Sequence, residues 1–134
     1  MVERSSYGIK TTVGTGYEGA ISKVTEELKK EGFGILTEIN VKDTLKSKLD
    51  VDFRRYVILG ACNPKFAHAT LQAERDIGLM LPCNVIVYEE DDGSVVVAAM
   101  DPAAAMGVVG NPSVVPIAKE VTAKLERVIA AMAE

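Results

Sequence analysis

The chain has 134 residues, 48% of them hydrophobic and 25% charged, with a formal net charge of −4. These values suit one globular domain with a single core. The mildly acidic balance excludes the basic footprint of a nucleic-acid binder, and no apolar run approaches the roughly 20 residues that cross a bilayer. The opening MVERSSYG lacks the hydrophobic segment of a signal peptide. A cytoplasmic location without membrane attachment is therefore expected, with the two cysteines as thiols rather than a disulfide.

Residues 1–6 are polar and predict a frayed start. Tyr7 to Val13 alternates weakly and carries β-branched Ile9, Thr11, Thr12 and Val13, which predicts a strand. Thr15 and Glu18 have the spacing of a capping box. Tyr17, Ala20, Ile21, Val24 and Leu28 then form one apolar stripe, predicting a helix over 16–31. Gly32 suits the left-handed residue after such a helix. Gly34 to Ile39 predicts a second strand. Asn40 suits the cap of a short helix whose Val41, Leu45 and Leu49 give only a narrow stripe, so it is expected at the surface.

Phe53 to Ala61 is mostly apolar and predicts a central strand. Asn63 as N-cap and Pro64 as first helical residue open the next helix. It is expected to run to Arg75 or Ile77 and to end at Gly78. Cys83 to Glu90 and Ser94 to Met100 predict two further strands, joined by the turn signal Asp91-Asp92-Gly93. Asp101 to Pro112, rich in Ala, Gly and Pro, predicts one short helical turn and then loop. Ser113 is placed to cap a last helix with Ile117, Val121, Leu125, Val128, Ile129 and Met132 on one stripe. The order predicts a two-layer α+β domain over residues 7–132, with a mixed sheet of about five strands and helices mainly on one face. The glycines form no phosphate-binding fingerprint, which disfavours a doubly wound parallel sheet.

Both cysteines lie beside prolines at strand ends. Cys62 ends a strand just before a helix, whose positive end would stabilise a thiolate. The plainer reading is a small hydrophobe buried in a tight turn, the commoner fate of a free thiol. Twenty residues separate Cys62 from Cys83, which is not a zinc-ligand spacing. If the two strands were antiparallel neighbours, the thiols would meet and offer a soft-metal or redox site. The intervening helix, however, carries the chain back along the sheet, and the usual strand–helix–strand geometry is parallel and separates them. Met80, Met100 and Met106 are either thioether ligands for monovalent copper or core filling. His68 shares a helix face with Pro64, Gln72 and Arg75, which reads as solvated. Asn63 and Asn84 read as structural, although both adjoin the thiols. The segment GVVGNP at 107–112 either covers a ligand or links two elements. No Ser-His-Asp set, H-E-x-x-H or G-x-x-x-x-G-K is present.

Three stretches, EGFGILTEINVKDTLKSKL at 31–49, LGACNP at 59–64 and MLPCNVIVYE at 80–89, together resemble the bacterial and archaeal family of unknown function DUF302. The resemblance spans about residues 7 to 132. It implies a compact α/β domain that is often a homodimer, and it implies no established activity. Gly60, Cys62, Asn63, Pro64, Pro82, Cys83 and Asn84 match the family's pattern.

The sequence thus predicts a binding module for a small molecule or soft metal ion, with Cys62, Asn63, Cys83 and Asn84 as the ligand-binding set. The residues name no cofactor. The alternatives are a small thiol-dependent redox enzyme using Cys62 and a structural homodimer without ligand. A homodimer is expected on separate grounds as well, because Ser94 to Met100 is apolar on both alternations and needs cover on both faces.

Overall fold

In the computed structural model, which describes residues 1–133, the weak alternation near the N-terminus is a half-buried strand. Ile9, Thr11 and Val13 are buried, while Lys10 and Thr12 are exposed. The chain runs β1 (Val2–Arg4), β2 (Gly8–Val13), α1 (Tyr17–Lys30), β3 (Gly34–Asn40), α2 (Val41–Leu49), β4 (Tyr56–Cys62) and α3 (Pro64–Ala73). A 3₁₀ segment, Arg75–Met80, leads to β5 (Cys83–Glu89), β6 (Val95–Met100), α4 (Pro102–Val109) and α5 (Val115–Met132). Among the described residues the strands form one six-stranded sheet in the order β1-β2-β6-β5-β4-β3.

The architecture is the expected two-layer α+β one, but each strand pair runs antiparallel, where a mixed sheet was predicted. The reason lies in the β4–β5 connection. α3 has 10 residues and so advances about 15 Å. The 3₁₀ segment of 6 residues covers about 12 Å and packs back against α3. The two displacements nearly cancel, so the chain re-enters the sheet at the end it left. β1 is an unpredicted addition, a three-residue strand paired with β2 in a hairpin. Residues 102–109, expected to hold a single turn and loop, form a full helix stopped by Gly110 in a left-handed conformation.

α1 and α5 cover one sheet face. Their buried stripes, including Ala20, Val24, Leu28, Leu125 and Ile129, meet Val57, Leu59, Val85, Val87, Val97 and Ala99 in the main core. α1 ends as predicted. Gly32 takes φ 88°, its N–H donates to Lys29 O at 3.0 Å, and the Phe33 N–H donates to Leu28 O at 2.9 Å. The predicted capping box does not form. The helix starts at Tyr17 with Gly16 as its N-cap, leaving Thr15 one residue too early, and no side chain caps it. Asn40 does cap α2, accepting from the Asp43 N–H at 3.0 Å, and α2 buries none of its residues. Ser113 caps nothing. Instead Asn111 Oδ1 accepts from the Ser113 N–H at 2.9 Å, in the turn before α5.

The expected cover for the last strand is partly internal. β6 lies between β5 and β2, with Val95, Val97 and Ala99 in the helix-covered core. The alternate residues Tyr56, Ile58, Ile86, Tyr88 and Ala98 belong to the other sheet face and are only half-buried.

Candidate functional site

The antiparallel β4–β5 ladder decides where the cysteines go. Ala61 pairs with Cys83 and Gly60 with Asn84, so Cys62 ends its strand where Cys83 begins the next one. On its other side Cys62 pairs with Gly34 of β3. The separation favoured by the usual strand–helix–strand geometry is therefore overturned: the cysteines meet at one end of the sheet. Both are free thiols and half-buried.

They open into one cavity of about 60 Å³. Since a water needs about 10–15 Å³ of such volume, the space admits a bare ion or a small apolar group. The sheet end supplies Ala61, Cys62, Cys83 and Met100. α3 adds Phe66, Ala67 and Thr70, and the segment before β5 adds Met80, Leu81 and Pro82. α4 and α5 close the far side with Met106, Ala118 and Val121. The walls are almost wholly apolar apart from the sulfurs. The polar side chains on the rim are already engaged: Asn63 Nδ2 donates to the Glu31 carbonyl at 3.1 Å, and the Thr70 hydroxyl donates to the Phe66 carbonyl at 2.7 Å.

Burial pushes the Cys83 thiol up from its ordinary value near 9 to about 11, and the neighbouring Cys62 thiol adds to the shift. Cys83 is therefore protonated at neutral pH unless a cation replaces its proton.

Asn63 occupies the N-cap position of α3, but its side chain does not cap the helix. The Gly34–Cys62 pairing brings the α1–β3 turn beside it, and its amide ties the two turns together. Gly60 serves the same corner. A Cβ there would run into the Thr37 side chain, and would meet Pro82 Cγ at 2.8 Å. Asn84 pairs in the ladder but is exposed and is not part of the cavity wall. His68 is exposed, as its helix face suggested. Among the described residues, no three His, Cys, Asp or Glu side chains gather where a metal ion could sit.

The 107–112 segment is not a lid over the site. Its helical part follows the wall residue Met106, and Asn111 Nδ2 anchors it to Ala73 O at 3.0 Å and Glu74 Oε1 at 2.9 Å. The sequence did not reveal Phe33, Phe66, Val114 or Ala118 as wall residues. Phe66 and Ala118 lie on helices whose apolar positions read as ordinary core, and Phe33 and Val114 lie in short connections that show no period. The methionines were the one available signal, since Met80, Met100 and Met106 all reach this cavity.

Comparison with known proteins agrees with this fold. The profile of the domain of unknown function DUF302 matches residues 9–132. The chain belongs to the DUF302 family. A crystal structure of an uncharacterized conserved DUF302 protein from Bacillus stearothermophilus is similar to it at 30% identity, with a TM-score of 0.88. That match covers 96% of this chain and 99% of the other. No curated protein matches the chain. Among the described residues of this DUF302 domain, no helix is long and apolar enough to cross a membrane.

Proposed function

We propose that this DUF302 domain is a homodimeric cytoplasmic binding module. Its ligand, a small molecule or a soft metal ion, sits in the cavity between Cys62-Asn63 and Pro82-Cys83. The observation that carries the reading is the convergence of both thiols on one preformed apolar cavity. Preformed, mostly apolar concavities with few polar groups are the usual shape of small-ligand sites. A thiol-dependent enzyme is less well supported, because among the described residues no charged side chain or histidine lines the cavity beside the thiols to act as an acid or base.

Native mass spectrometry tests the reading, because it reports bound mass and subunit count together. The protein is purified without chelator and then exposed to a small-molecule extract of its expression host. The expected result is an adduct on each subunit, absent from an Ala67→Leu variant whose larger side chain fills the cavity. Bare polypeptide mass under both conditions overturns it.

A further inference from the structure

We propose that the cavity takes a monovalent soft metal ion, Cu(I), bonded by the thiolates of Cys62 and Cys83 and bordered by the thioethers of Met80, Met100 and Met106. This deepens the binding reading above and rests on it.

The argument is one of donor chemistry. Two thiols and three thioethers line one cavity. The polar side chains beside them already spend their donors on backbone carbonyls, Asn63 on Glu31 and Thr70 on Phe66. Among the described residues, no fully buried side-chain nitrogen or oxygen lacks a partner. The donor that dominates the wall is sulfur, from Cys62, Cys83, Met80, Met100 and Met106. Thiolate and thioether ligands select Cu(I) over the hard divalent ions, which want carboxylate, carbonyl and water oxygens. Zinc would need four ligands of the Cys, His or carboxylate kind, and no cluster of even three exists among the described residues. A monovalent soft ion is satisfied by as few as two sulfur bonds, which is what the paired thiols offer, and the two thiolates with Cu(I) carry a net charge of about −1. On binding, each thiol passes its proton to solvent as its sulfur bonds the ion, so two protons leave per ion and no electron moves.

The spacing of twenty residues hid this arrangement from the sequence. It is the antiparallel return of β5 that turns two isolated thiols into a pair, and the packing of α4 that brings Met106 to them.

The test is an anaerobic titration of the purified chain with Cu(I) against bicinchoninate, read by the chelator's absorbance. The expected result is one ion per chain, two protons released per ion, and protection of both thiols from iodoacetamide. Cys62→Ser and Cys83→Ser are each expected to weaken binding by at least about 100-fold, and Met80→Leu or Met106→Leu by about tenfold, a supporting ligand's usual effect. Thiol protection in the unaltered chain needs no variant, so it decides the matter even if a serine variant fails to fold. A second arm adds benzene to protein carrying ¹³C-methyl methionine. Copper left on the chelator, with Met80, Met100 and Met106 methyl signals that move with benzene, overturns the inference and leaves the binding reading intact. Copper left on the chelator with unmoved methyl signals overturns both. Copper taken up with the thiols still open to alkylation also overturns the inference.

Discussion

Asn63 shows how one side chain is shared between two structural demands. Its sequence context, an Asn before Pro and a helix, is that of an N-cap, a position where Asn and Asp serve about equally well. In the structure its amide nitrogen instead donates to the Glu31 carbonyl, a job aspartate cannot do. Asn63→Asp therefore separates the two roles. It is expected to lower the urea midpoint, because a carboxylate would face a carbonyl oxygen, and to cost at least the ~0.5–1.5 kcal/mol of an ordinary hydrogen bond. An unchanged midpoint would return Asn63 to a capping role. Cys83 makes a second test at this scale. Its folded thiol ionises near pH 11, and the unfolded one near 9. Below both values neither state has lost the proton, and stability is unaffected. Between them the unfolded chain alone releases it, so stability falls as pH rises through that window. In a Cys62→Ser background, alkylation of Cys83 in the folded chain is expected to keep accelerating past pH 9. A rate that levels off near pH 9 would mean that the thiol is not desolvated.

At the scale of elements, the corner between β4, β5 and the α1–β3 turn is held by close approach and by charge. Gly60 lies where Thr37 and Pro82 both press on the strand. Gly60→Ala is expected to destabilise by about 1–3 kcal/mol, the usual cost of overpacking, although alanine in an open strand would gain stability over glycine. Chemical denaturation checks this, and a gain in stability would show the corner to be loose. Glu31 fastens the end of α1 to α5, accepting from Arg127 Nη2 at 2.9 Å and Nε at 3.1 Å. The hydrogen bond from Arg127 holds its carboxyl below the usual range near 4.5, against the opposing effect of burial and with the charges of Arg127 and Lys124 adding to it. The lowered folded pKa means a contribution that is present above pH 4.5 and lost as pH falls through the folded value. Arg127→Ala is expected to remove that contribution, so its melting temperature should lie below the parent's at neutral pH and converge with it in acid.

The sequence makes some of these elements plain and hides others for physical reasons. α1 carries its stripe and its stop in local residues, and the Asp92-Gly93 hairpin is equally local, with Gly93 at φ 86°. The direction of β5 is not local. It depends on how far the Arg75–Met80 segment doubles back on α3, and nothing in RDIGLM marks a 3₁₀ return. β1 is too short to show a period, and α4 buries only Pro102 and Met106, too few to trace a stripe. The cavity is less legible still, since its walls come from five places in the chain and each wall residue alone looks like core. The two cysteines and Pro82, singled out in the sequence, line one cavity. It is the tertiary return of the chain that brings them to it.

For the whole molecule, the unfinished surface is the sheet face away from α1 and α5. Tyr56, Ile58, Ile86, Tyr88 and Ala98 share it and are half-buried rather than exposed, and the Tyr56 and Tyr88 rings stack at 5.3 Å between centroids. Contiguous apolar surface of this kind on a sheet is commonly closed by a partner, and a second copy closes it with two-fold symmetry. A rival surface exists at the free edge of β3, where Leu36 and Ile39 are exposed. That edge is broken by a register shift between Ile35 and Thr37, a device that discourages strand addition, so the face is the expected contact. Light scattering is expected to return twice the chain mass at micromolar concentration. Ile86→Lys, in the middle of the face, is expected to return the single-chain mass with its circular dichroism intact, whereas Leu36→Lys at the edge leaves the dimer in place. A dimer lost to Leu36→Lys but not to Ile86→Lys would move the interface to the edge. A monomer from the unaltered chain across that concentration range would leave the face as solvent-exposed surface and remove the homodimer altogether.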